Sequence, residues 1–88
     1  MKSPILEMRK RLGISQHQLA LALGISRTSI SDIENGLSAL PDRLIGALAE
    51  LHVKTDDLVA LQNGFVEHTR AEVRRQIANH TSDREGEG

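Results

Sequence analysis

Gln16–Asn35, QHQLALALGISRTSISDIEN, decides the fold, because its apolar spacing describes two short helices held at a fixed angle. Leu19, Leu23, Ile25, Ile30 and Ile33 fall where they share one core. Ala20 is small midway along the first helix, where the second must approach its backbone closely. Gly24 stands just past the last apolar residue of that helix, at a position that asks for a left-handed cap. Ser26 follows as an N-cap for the second helix.

Outward from this pair, the chain continues to read as helix. Ser3 caps a first helix over Pro4–Leu12, with Pro4 at a position where its missing N–H costs nothing. Ile5, Met8 and Leu12 share its apolar face, and Gly13 ends it. Ser15 and Gln18 have the spacing of a capping box at the start of the second helix. After the Asn35-Gly36 stop, Leu44, Ile45, Leu48 and Leu51 mark a fourth helix. Thr55-Asp56-Asp57 then caps a fifth, whose Leu58 and Leu61 are expected to face inward. A break is expected at Asn63-Gly64, followed by a sixth helix with a narrow stripe of Val66, Thr69, Val73 and Ile77 beginning at Phe65. Such a stripe suits dimer formation or partner docking, or else packing on the chain's own domain. The expected organisation is a domain over 1–62, a C-terminal helix over 63–80 and a polar, disordered tail over 81–88.

RKRLGISQHQLALALGIS (9–26), RTSISDIENG (27–36) and PDRLIGALAELHVKTDDLVAL (41–61) together resemble the Cro/CI-type (XRE-like) helix-turn-helix family of phage repressor DNA-binding domains. The resemblance runs from about Ile5 to Leu61. It implies an all-α, five-helix repressor-like domain containing a helix-turn-helix, here extended by the sixth helix. It also implies an ion pair between Arg9 and Glu34, tying helix one to helix three. Gln16, at the start of helix two, takes the family's place for a DNA phosphate contact, against the alternative of a solvated amide. His52 stands where relatives carry a C-capping glycine, so a less sharply turned helix end is expected there.

In that frame helix three is the recognition helix, and its outward residues Arg27, Thr28, Ser31 and Asp32 are the candidate base readers. An arginine offers two N–H groups to guanine O6 and N7, a threonine bonds a base edge or packs on a thymine methyl, and an aspartate accepts from cytosine N4. Asp32 also repels phosphate, which suits exclusion of wrong sequences better than affinity. For Arg27 the alternative is a surface salt bridge. Ser26, Ser29, Asn35, Ser38 and Arg43 join Gln16 as candidate phosphate contacts, with Asn35 open to a plain C-cap role and Arg43 to plain solvation. The loop Gly36–Ala39 follows the helix as in relatives that clamp a phosphate there, but it lacks their lysine or arginine.

Bulk composition narrows the function further. The 88 residues carry a net charge of −1, but 1–36 hold five basic against three acidic residues, so basicity is local to one part of the chain. Modest non-specific affinity with a steep loss in salt is the consequence. Phe65 is the single aromatic residue, which disfavours single-stranded nucleic acid, where bases stack on aromatic platforms. Cysteine is absent, no apolar run reaches membrane-spanning length and the N-terminus lacks a signal-peptide pattern, so a cytoplasmic location is expected, with no membrane partner. His17, His52, His68 and His80 share no metal-ligand spacing, and no nucleophile elbow or phosphate-binding glycine loop occurs. Neither an enzyme nor a cofactor or metal site is expected.

The sequence thus points to a regulator of double-stranded DNA, a repressor binding an inverted repeat as a homodimer. The rival is an antitoxin or adaptor that grips a partner protein through its C-terminal helix.

Overall fold

The computed structural model describes residues 1–87, with side chains described for 1–81. Five helices follow one another: α1 (Pro4–Leu12), α2 (Gln16–Leu23), α3 (Arg27–Glu34), α4 (Asp42–Glu50) and α5 (Asp56–Glu87). No strand occurs among the described residues. α2 packs on α3 and α4, while α1 lies across α3 and α5. Ile5, Met8, Leu19, Ala20, Leu23, Ile30, Ile33, Leu40, Leu44, Leu48 and Leu58 form the shared core.

Local signals start and stop the first three helices. Ser3, Ser15 and Ser26 each accept a hydrogen bond from the backbone N–H three residues on, and Gln18 closes the capping box by accepting from the Ser15 N–H at 2.8 Å. The helices α1 to α4 end alike, in paired backbone bonds that wrap the last turn; at Gly24, for example, Gly24 N–H reaches Leu21 O and Ile25 N–H reaches Ala20 O. Three of these ends use a glycine at positive φ, and the fourth uses His52 at φ 63°. The expectation of a gentler turn at His52 is therefore corrected. The chain keeps the sharp turn and places an ordinary side chain in the left-handed region.

The C-terminal region also differs from expectation. Asn63 and Gly64 do not break the chain; α5 runs through them for 32 residues, so the expected sixth helix is the continuation of the fifth. A mid-helix glycine costs only about 1 kcal/mol against alanine. Burial of Leu58, Gln62, Phe65 and Val66 along one side of α5 offsets that cost. At 1.5 Å per residue α5 is about 48 Å long, close to the 55 Å long dimension of the molecule. The tail expected to be disordered falls, apart from Thr81, on residues outside those whose side chains are described.

Three apolar residues expected inside lie outside: Leu12, Leu51 and Leu61 are 54%, 53% and 60% exposed. Leu12 and Leu51 stand at helix ends, past the core. Leu61 yields its place to Gln62, because the inward ridge of α5 runs by four-residue steps through Leu58, Gln62 and Val66. Phe65 and Val66, expected as dimer or partner contacts, are each only 9% exposed, so most of their surface is spent inside the domain. Thr69, Val73 and Ile77 remain accessible to different degrees.

Candidate nucleic-acid interface

One side of α3 is core and the other is open. Ile30 and Ile33 are 0% and 2% exposed. Arg27, Thr28, Ser31 and Asp32, three or four residues apart around the opposite side, line an open depression of about 330 Å³ together with Gln16 of α2. Arg27 and Thr28 are exposed and Ser31 and Asp32 half-buried. The fold thus brings the four candidate base readers into one surface.

A chain of side chains supports it from behind. Glu34, buried at the end of α3, accepts from Arg9 Nε at 2.9 Å and from Arg9 Nη2 at 3.2 Å. Arg9 Nη1 also donates to Ile14 O at 3.1 Å, which joins α1, the α1–α2 turn and α3. The hydrogen bond to Glu34 raises the Arg9 pKa, burial opposes it, and the nearby negative charge adds to the rise. Gln16 Nε2 donates to the same carboxylate at 3.1 Å, and Gln16 Oε1 accepts from Arg27 Nε at 3.5 Å. The Gln16 amide is therefore a bridge between the buried ion pair and the outermost cation of α3.

The candidate phosphate contacts separate into groups. Ser26, Ser29 and Arg43 come together on one flank of α3, where the Ser26 and Ser29 hydroxyls lie 2.9 Å apart and Arg43 Nη2 donates to Gly24 O at 3.5 Å. Asn35 and Ser38 lie past its other end, with Asn35 Nδ2 donating to Ser31 Oγ at 3.4 Å. Gln16 borders the depression on the α2 side. The six candidates therefore fall in three separate places around α3.

The main residue that sequence reasoning missed is Gln62. It is fully buried, and its Nε2 donates to Ile33 O at 2.9 Å and to Ser38 O at 3.0 Å, joining α5 to both sides of the turn that ends α3. Hydropathy favours Leu61 for that interior place, and only the four-residue step from Leu58 to Gln62 signals otherwise.

No helix among the described residues is long and apolar enough to cross a membrane. No curated protein and no solved structure matches the chain significantly. A family model described as helix-turn-helix matches residues 5–58, more than half of the chain.

Proposed function

We propose, from the premise that this chain belongs to the Cro/CI-type helix-turn-helix family, that it is a repressor that binds an inverted-repeat operator as a homodimer. The family makes the chain a DNA-binding transcription regulator; the repression, the operator symmetry and the dimer are the proposal. The observation that carries it is the division of α3, whose inner side is sealed in the core while Arg27, Thr28, Ser31 and Asp32 line one open depression. Arg27 reads guanine, Thr28 and Ser31 meet neighbouring base edges, and Asp32 selects against wrong pairs. Gln16, Ser26, Ser29, Asn35, Ser38 and Arg43 hold the flanking phosphates.

A single recognition helix reads only about 4 to 6 base pairs, so useful specificity calls for two half-sites about one helical turn apart. Val73 and Ile77 are 42% and 61% exposed where α5 leaves its own core, and Leu37, 61% exposed, shares a groove with Val73. They provide the apolar contact for a second copy. Sedimentation on a duplex recovered by selection tests this: two chains per symmetric site are expected, and one chain on an asymmetric site contradicts it.

The same apolar surface supports the second reading, an antitoxin or adaptor gripping a partner protein. A groove of about 230 Å³ lined by Leu37, Val66, Thr69, Arg70, Val73 and Arg74 adjoins it. Under that reading, Val73→Asp with Ile77→Asp releases a co-purifying protein and leaves the DNA stoichiometry unchanged.

A further inference from the structure

We propose that Gln62 is a positioning residue for DNA binding, acting from α5 to set the shape of the 36–39 loop so that it meets a phosphate. This rests on the DNA-binding reading above. Gln62 is 0% exposed, and both protons of its amide nitrogen are committed, one to Ile33 O and one to Ser38 O. These carbonyls lie on either side of the turn, and a planar NH2 group between them holds their separation as a strut does. Gly36 sits against α5 as well: a Cβ built there meets the Thr69 hydroxyl and comes within 3.2 Å of the Phe65 ring. Gln62, Phe65 and Thr69 thus brace the loop from inside.

The same loop carries the donors that would meet a phosphate. Gly36 N–H and Leu37 N–H are spent on Ile33 O and Asp32 O, but among the described residues the amides of Ser38 and Ala39 donate to no carbonyl. Two adjacent free N–H groups beside the Ser38 hydroxyl suit a phosphate oxygen, and the carbonyl between them is the one Gln62 pins. This geometry supplies what the uncharged Leu37-Ser38-Ala39-Leu40 segment lacks in side-chain charge.

The choice of residue turns on those two bonds. Gln62 Oε1 is buried with no hydrogen-bond partner, a costly arrangement that an apolar side chain of similar length avoids. The amide is there for its two donated bonds, and the unpaired oxygen accompanies them.

The test is Gln62→Met in the full chain, measured against a selected operator and a scrambled duplex over a range of salt. The expected result is a folded protein whose affinity falls about tenfold on both duplexes at every salt concentration, with the slope of log affinity against log salt nearly unchanged, because neutral donors release no counterion. Unchanged affinity on both duplexes, whatever happens to the Tm, overturns the proposal; so does a loss confined to the operator, which belongs to base reading. Should Gln62→Met not fold, Thr69→Ala carries the test. An equal loss of about threefold on both duplexes supports the brace, and no loss overturns it. A wild-type chain that binds neither duplex removes the DNA-binding reading itself, which separates that failure from failure of the Gln62 role.

Discussion

The corners on either side of α4 use the same hydrogen bonds and different residues. Before α4, Gly36 N–H reaches Ile33 O and Leu37 N–H reaches Asp32 O; after it, His52 N–H reaches Ala49 O and Val53 N–H reaches Leu48 O. The φ angles are 76° at Gly36 and 63° at His52. Gly36 is buried against α5, whereas His52 is exposed. The positive φ alone is a modest cost that an ordinary residue bears, about 1 to 2 kcal/mol. What demands glycine at the first corner is the lack of room beside Thr69 and Phe65. That corner leads directly from α3, so under the proposed DNA-binding reading its tight packing fixes the loop beside the open side of that helix. His52 stands in the open.

Gly36→Ala separates the two corners most strongly. Backbone strain and crowding together are expected to cost about 3 kcal/mol in chemical denaturation, and DNA affinity falls with the displaced loop. The share due to the Thr69 hydroxyl can be isolated in a Thr69→Ala background, where Gly36→Ala is expected to cost only about 2 kcal/mol; an undiminished cost there means that the hydroxyl is not what demands the glycine. At the other corner the sign reverses. His52→Gly is expected to stabilise the fold by about 1 kcal/mol and leave DNA affinity unchanged, and a loss of stability breaks the comparison.

Much of this architecture is legible in the sequence, since α1 to α4 are bounded by residues whose chemistry is local. Ser3, Ser15 and Ser26 cap their helices, and Gly13, Gly24 and Gly36 end theirs, through contacts within a few residues. Readings that depend on distant contacts fared worse. Asn63-Gly64 has the local chemistry of a stop, but burial of Gln62, Phe65 and Val66 carries α5 through it. Leu61 looks like a core residue until the backbone turns it outward and Gln62 inward. The outward placement of the candidate base readers follows from helical periodicity, because Ile30 and Ile33 in the core leave Arg27, Thr28, Ser31 and Asp32 at the depression; their role comes from the family resemblance. The Gln16 bridge and the Gln62 strut join residues of different helices, and no pattern within one helix encodes them.

Selection from random duplexes, run in parallel on the wild-type chain and on Arg27→Ala, tests most directly whether the open side of α3 reads bases. The expected wild-type result is a two-fold symmetric motif. In the variant, preference relaxes at one position of each half-site and affinity drops by about 2 kcal/mol, with the other positions retained. An identical motif from both proteins contradicts the account.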